Sequence, residues 1–189
     1  KFGDKELFDI QSGGTPNSKE PSFWGGDINW ATLVDLPAED FVTEIIETKR
    51  KITQEGLAKS SAKLLPEGAV LVSSRATLGR VAIARGEVST NQGFKNIVIQ
   101  NRDKAIPEYV ATIATTLKPT IESMASGGTF SEISKTSFES LEIPLPPIEA
   151  QRQIVAELEA EQKLVDANKK LIETFQQKIR TKIAEVWGE

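Results

Sequence analysis

Residues 148–187 contain neither glycine nor proline, and apolar residues recur within them at intervals of seven. A strict seven-residue period favours a supercoiled helix over a helix that lies on a globular core. Forty helical residues would extend roughly 60 Å at about 1.5 Å per residue, too long to be buried on a small domain. The repeat and its neighbours predict a helix interface made of Ile154, Val155, Leu158, Val165, Ile172, Phe175, Ile179, Ile183 and Val186.

Such a helix requires a partner helix. Glu161 and Asn168 fall at seam positions, where polar residues set the register of a coiled coil. The chain has one helix of this kind, so the partner helix comes from another chain or from a further part of a longer protein. On length and period alone, the alternative is a helix folded back over a sheet.

Residues 1–146 carry most of the glycines and prolines, with short β-branched runs between them. These runs predict strands of a mixed sheet, which lie at 29–33, 42–46, 69–72, 81–84 and 96–100. Helices are predicted at 53–61 and 107–126. Three prolines within 144–147 end this region. The sequence therefore predicts the α+β class: a mixed α/β globular domain at 1–146, followed by a long coiled-coil-forming helix at 147–189.

The composition excludes several kinds of chemistry. The chain has no cysteine and no histidine, so a Ser-His-Asp triad, a disulfide and the usual zinc sites are excluded. Any catalysis would rely on carboxylates, lysine or carboxylate-bound magnesium. We predict no catalytic residue and no metal site. The longest apolar runs are about four residues, which predicts no membrane span and favours a cytoplasmic protein.

Charge alone does not indicate a nucleic-acid-binding protein. Lys and Arg number 23 and Asp and Glu number 27, which gives a net charge of −4. Because the DNA backbone is anionic, binding would require a local basic surface or a partner that supplies more positive charge.

Two polar segments could form such a surface. "SSRATLGR" (73–80) lies between two apolar runs, and "STNQGFKN" (89–96) follows one strand later. Hydroxyl, amide and cationic side chains in turns are the donors that bind phosphate oxygens. The alternative is that they are ordinary turn residues that close hairpins. The candidate residues are Ser73, Ser74, Arg75, Thr77, Arg80, Asn91, Gln92 and Lys95.

Three other patterns are less specific. "SGGT" occurs at 12–15 and 126–129, but neither copy continues into a nucleotide-binding loop. "FWGGDINW" (23–30) contains two tryptophans; we favour a core position for Trp30, while Trp24 is equally suited to stack on a base. Glu47 and Lys49, with Asp35 or Asp40, resemble the core of a magnesium nuclease, although the same Glu-x-Lys spacing recurs in the long helix.

Four stretches then occur in a fixed order: "SGGTPNSKEPSFWGGDINWATLVDL", "GAVLVSSRATLGRVAIA", "STNQGFKNIVI" and "SGGTFSEISKTSFESLEIPLPPIEAQRQIVAELE". Together they resemble one half of the DNA specificity subunit of type I restriction-modification enzymes, from about Gln11 to the C-terminus. The family often has adjacent Glu and Gln where this chain has Ala150 between them. The resemblance implies a target recognition domain that reads one half of a bipartite DNA site, followed by a helix that sets the spacing between half-sites.

The resemblance also implies partners and cofactors. Modification subunits would carry S-adenosylmethionine and methylate adenine, and a restriction subunit, if present, would use ATP and Mg. This chain would hold no cofactor and would be non-catalytic. Its helix would pair with a second copy in a homodimer or with the helix of a second half. The chain is then a half-subunit that dimerises, a piece of a two-domain subunit or the tail of a fused methyltransferase.

Within that family, "SSRATLGR" and "STNQGFKN" would grip phosphates and set the register on the duplex, while loop residues would read the bases. The additional loop candidates are Lys19, Lys49, Arg50 and Arg85. Two alternatives remain at this stage: a magnesium-dependent nuclease domain, and a coiled-coil adaptor whose globular part does not contact DNA.

Overall fold

The computed structural model describes residues 1–36, 42–127 and 131–187. The chain divides into two compact units, of which the first spans Lys1–Gln151 and the second begins at Arg152. The first unit contains every strand and the short helices of the described residues, and the second consists of one helix. The predicted α+β class with a long C-terminal helix is confirmed.

The strands are short, and most of the helices lie after them in the chain. The eight strands are β1 Phe8–Ser12, β2 Trp24–Ala31, β3 Thr43–Ile45, β4 Lys51–Ile52, β5 Val70–Ser73, β6 Val81–Ala84, β7 Val88–Thr90 and β8 Phe94–Ile99. The five α-helices are α1 Gln54–Ala58, α2 Pro107–Thr116, α3 Lys118–Met124, α4 Lys135–Ser140 and α5 Ile148–Trp187. Two single 3-10 turns lie at Pro21–Phe23 and Leu33–Asp35.

The strands form two sheets. The five-stranded sheet has the order β1-β8-β5-β6-β3, and the three-stranded sheet has the order β4-β2-β7. β3 runs parallel to β6 and β7 runs parallel to β2, whereas the other neighbouring pairs are antiparallel. Four of the five predicted strand runs coincide with β3, β5, β6 and β8, and the run at 29–33 overlaps the end of β2.

The five-stranded sheet is covered on both faces, which explains why β5 and β6 are apolar without alternation. Val70 and Val72 pack in one apolar cluster with Val110 of α2. Leu71 and Ala82 point to the opposite face and belong to a second cluster. This double burial fixes the ends of β5 and β6 and therefore the position of the turn between them.

The predicted helix at 107–126 is two helices. It breaks at Leu117, and Pro119 lies in the first turn of α3, where its missing N–H group leaves no hydrogen bond unmade. The interruption expected at Pro119 therefore takes the form of a new helix start.

Helix α5 begins inside the first unit through a buried glutamine. The Gln151 side chain has no exposed surface. Its Oε1 accepts from the Ile106 backbone N–H at 3.2 Å, and its Nε2 donates to the carbonyl oxygens of Lys104 at 2.8 Å and Pro146 at 2.7 Å. These three hydrogen bonds hold the first helical turn and the proline segment before it. Sequence reasoning did not single out this residue.

From Arg152 onward, helix α5 carries an exposed apolar stripe. Leu158 is 42% exposed, Ile179 is 58% exposed and Val186 is 79% exposed, as are comparable fractions of their heptad neighbours. The helix is long but rich in charge, and none of the described helices is long and apolar enough to cross a membrane. The stripe is the face that the seven-residue repeat predicted.

We expect Gln151→Ala to lower the free energy of unfolding by about 2–4 kcal/mol, because it leaves buried backbone donors and acceptors without partners. Gln153→Ala is the matched control, since Gln153 is exposed and bonds only to Glu157 one turn on. Its effect should be about 0.5 kcal/mol or less. Urea unfolding of both variants measures the difference, and equal stabilities would contradict the anchoring role of Gln151.

Candidate nucleic-acid interface

The turn between β5 and β6 is closed by the Ser73 side chain. Its hydroxyl donates to the Thr77 carbonyl oxygen at 2.6 Å and accepts from the Arg80 backbone N–H at 2.8 Å. The turn requires two left-handed residues, Ala76 at φ 62° and Gly79 at φ 75°. Ser73 is fully buried, so it holds the loop that presents its exposed neighbours.

Ser74 and Lys95 form the base of this surface. The Lys95 ammonium lies 3.3 Å from the Ser74 hydroxyl and 3.3 Å from a carboxylate oxygen of Glu132. Ser74 is fully buried and Lys95 is 4% exposed, so both polar groups face the protein. Arg75 lies on the opposite side of the same carboxylate, with its Nε 3.9 Å from Glu132 Oε2. The side chain of Arg75 is 43% exposed and reaches solvent.

The loop after β7 lies beside this turn. The Ser74 backbone N–H donates to the Gly93 carbonyl oxygen at 2.7 Å, which joins the two segments directly. Asn91 Oδ1 accepts from the Gly93 N–H at 2.9 Å and shapes the loop. Gln92 is exposed, and its side-chain oxygen accepts a hydrogen bond from the Thr15 hydroxyl. The fold thus brings together the two polar segments that were predicted separately.

The first "SGGT" segment supports the loop from behind. A Cβ on Gly13 would lie 2.0 Å from the Asn91 carbonyl oxygen, and a Cβ on Gly14 would lie 2.3 Å from the Ala62 nitrogen. The Gly14 N–H donates to the Thr90 carbonyl oxygen at 2.9 Å. The two glycines are therefore required by close backbone approach, and this copy of the motif has a structural role. The second copy lies partly outside the described residues.

Two predicted arginines are held by other parts of the protein. Arg80 donates from Nη1 to the Leu36 carbonyl oxygen at 3.2 Å. Arg85 pairs with Glu44 at 2.6 Å and with Glu108 at 2.8 Å, and it bridges β3 to α2. The hydrogen bonds from Glu44 and then Glu108 raise the pKa of Arg85. Its charge is largely neutralised by these two carboxylates.

The remaining predicted loop cations lie near the two tryptophans of the smaller sheet. Trp30 is 3% exposed, as expected for a core residue, whereas Trp24 is half-buried. The Arg50 guanidinium lies over Trp24. Lys19 and Lys49 are exposed, and their backbone N–H groups donate to Asn17 Oδ1 and Asp35 Oδ1.

The described residues give no support to a magnesium nuclease. Asp40 lies outside the described residues. Asp35 uses its carboxylate for a capping box with Thr32 and for the Lys49 N–H, and Glu47 lies 3.5 Å from Lys51. Over 1–36, 42–127 and 131–187, no group of three or more acidic side chains is arranged to hold a metal ion.

Sequence reasoning missed three residues of this surface: Glu132, Gly13 and Thr15. Glu132 is far along the chain from both segments, and only the isolated bridges from Glu132 to Arg75 and Ser126 bring it there. An acidic residue in a loop carries no sequence signal for such a position. The "SGGT" repeat was a signal for Gly13, but spacing alone did not tell a close backbone approach from an ordinary turn.

Comparisons with known proteins agree with this geometry. Residues 2–177 match the model of the type I restriction modification DNA specificity domain, and the chain belongs to this family. It is 32% identical to the specificity subunit of the type I restriction enzyme MjaIX of Methanocaldococcus jannaschii, over 97% of this chain and 42% of that protein. It is 25% identical to the specificity subunit of the type I restriction enzyme HindI of Haemophilus influenzae, over 89% of this chain and 37% of that protein.

Solved structures give the same result. A chain from a structure of a type I restriction-modification system superposes with a TM-score of 0.66 at 28% identity, over 87% of this chain and 38% of that one. The HsdS subunit of Thermoanaerobacter tengcongensis shares the fold, with a TM-score of 0.65 at 24% identity over 90% of this chain and 38% of that one. The chain thus spans less than half the length of these relatives.

We expect Gly13→Ala to destabilise the protein by about 3 kcal/mol, because the new methyl group would overlap backbone atoms of Thr90 and Asn91. Gly86→Ala is the matched control, since a Cβ there meets nothing within 4 Å. Thermal melting of both variants, followed by circular dichroism, measures the effect. A Gly13→Ala protein that melts with the wild type would show that the crossing is looser than described.

Proposed function

We propose that this chain is a recognition module for double-stranded DNA that reads one half of a bipartite site. It directs adenine-N6 methylation, and restriction where a restriction subunit is present, by partner subunits. Family membership supports this proposal, and so do relatives named as specificity subunits of type I restriction enzymes. The alternatives, a nuclease domain and an adaptor that ignores DNA, have no comparable support.

The observation that carries the proposal is the joined surface made by the 73–80 turn and the 90–95 loop. Arg75 and Gln92 are partly or fully exposed on it, and both loops are fixed by buried hydrogen bonds. Rigidly held donors suit the phosphate contacts that set register on a duplex. We assign direct contact to Arg75, Thr77, Asn91 and Gln92.

We assign the buried residues of the same surface to its support. Ser73, Ser74 and Lys95 hold the loops and neutralise Glu132, which would otherwise repel phosphate near Arg75. Direct DNA contact by these three, and by Arg80 and Arg85, stays a prediction. Because the whole chain has a net charge of −4, modification subunits would supply further phosphate neutralisation.

We further propose that residues 147–189 dock other subunits and set the spacing between half-sites. The exposed stripe from Ile154 to Val186 supports pairing with a second copy or with a second half. No cofactor is assigned to this chain: S-adenosylmethionine would bind the modification subunit, and ATP and Mg a restriction subunit. The chain would be non-catalytic and would act in the cytoplasm, where the DNA of a bacterial or archaeal cell lies.

We expect Arg75→Ala to weaken binding of the assembled complex to all DNA sequences alike and to lower the slope of log K against log salt by about 1. Arg102→Ala is the matched control: Arg102 is exposed, and its Nη2 donates to the Glu67 carbonyl oxygen at 2.6 Å, away from the proposed surface. It should leave the slope unchanged. Fluorescence anisotropy titrations at several salt concentrations provide the slopes, and a change in sequence preference alone would refute the phosphate role.

We expect co-expression with the cognate modification subunit, in a host without DNA methylation, to methylate adenine at a symmetric interrupted motif. Symmetry follows if two copies pair through α5 and each reads the same half-site. Long-read sequencing maps the methyladenines. The chain alone, with a labelled methyl donor, should transfer nothing to DNA. Transfer by the chain alone would contradict the non-catalytic assignment, and an asymmetric motif would contradict pairing of two copies.

A further inference from the structure

An arginine stacks on two tryptophans at the surface of the smaller sheet. The Arg50 guanidinium carbon lies 3.8 Å from the centre of the Trp24 ring and 5.0 Å from that of Trp30. The two indole rings meet edge to face, with centroids 5.0 Å apart and planes at 82°. Stacking against an indole restricts a side chain that is otherwise flexible, and it leaves the N–H edge of the guanidinium uncovered.

The platform beneath Arg50 is itself fixed. Trp24 Nε1 donates to the Asn17 carbonyl oxygen at 3.1 Å, and Trp30 Nε1 donates to the Gly14 carbonyl oxygen at 2.9 Å. The Arg50 carbonyl oxygen accepts from the Trp30 N–H at 3.1 Å and from the Thr48 hydroxyl at 2.6 Å. Both the backbone and the plane of the side chain are therefore set before any ligand binds.

The polar edge of Arg50 is unused. Arg50 is exposed, and over 1–36, 42–127 and 131–187 its guanidinium takes part in no hydrogen bond or ion pair. Arg85 differs, because two carboxylates occupy its nitrogens. Arg50 is thus a fully charged, oriented fork of N–H donors that faces solvent. A contact that needed only positive charge would not require this orientation, since an unrestrained lysine meets it.

We propose that Arg50 is a specificity-determining residue that reads a guanine in the major groove by two parallel hydrogen bonds, to O6 and N7. This inference rests on the proposed function, because it assumes that the chain reads duplex DNA. The bidentate arginine–guanine contact needs a guanidinium whose plane lies in the plane of the base pair. Trp24 supplies that constraint, and it acts as a positioning residue that does not contact the base.

The test uses Arg50→Lys in the complex with the modification subunit. Lysine keeps the charge but loses the fork, so phosphate attraction persists while guanine discrimination falls. In competition binding with single-base-pair changes through the half-site, the wild type should prefer one G·C pair about tenfold to hundredfold, and the variant should lose most of that preference. The salt slope should not change, and mapped methylation should become relaxed at that one position.

Two further variants separate positioning from folding. Trp24→Phe retains an aromatic face and should retain the preference, whereas Trp24→Leu should lose part of it although Arg50 is intact. Arg102→Lys, the matched surface substitution, should change nothing. Melting curves for all four variants identify any that fails to fold. A Trp24→Leu protein that folds and keeps full discrimination would overturn the positioning role.

The remaining outcomes are distinguishable. A wild-type complex with no preferred sequence overturns the proposed function and this inference with it. A wild-type complex with a defined motif, and an Arg50→Lys complex with the same motif and the same preferences, overturns the inference alone. Uniform weakening of the Arg50→Lys complex on every sequence would assign Arg50 to a phosphate instead of a base.

Discussion

The close backbone crossing at Gly13 and Gly14 is the constraint on which both candidate DNA-contacting surfaces depend. Gly14 donates to Thr90 and accepts from the Trp30 indole, so one residue joins the end of β1 to the Asn91 loop and to the tryptophan platform. A side chain at either glycine would separate these elements. Because the crossing is backbone against backbone, it fixes both surfaces with little dependence on neighbouring rotamers.

Cations in this acidic chain are divided between structural and available ones by their partners. Lys95 and Arg85 each face carboxylates of the same unit, and their charges contribute to holding it together. Arg50 has aromatic faces as neighbours, which orient the guanidinium without neutralising it. Net charge therefore says little about binding, because what matters is which cations keep a free polar edge. In the proposed function, the partner subunits add the bulk attraction and this chain adds the selectivity.

Periodicity predicted the parts of the fold that periodicity determines. The heptad repeat predicted α5, and the apolar runs predicted β5, β6 and β8, because burial on one or two faces leaves a direct pattern in the sequence. The helix anchor at Gln151 was missed, since a buried glutamine and a solvent-exposed one look alike in a polar stretch. For the same reason, the turn serine at 73 looked like a ligand group: its backbone partners are chosen by the turn geometry, which the sequence does not display.

The long helix poses a problem of specificity as well as affinity. A fully buried large apolar side chain contributes about 1.5–3 kcal/mol, so the exposed stripe of α5 favours association with a second helix. An uninterrupted stripe would also permit sliding by whole heptads, which would change any distance that the helix sets. Glu161 and Asn168 interrupt the seam in adjacent heptads, and shifted registers would bury them against apolar residues without partners. In the proposed function, the polar seam residues thus lower affinity, and that loss defines a single half-site spacing.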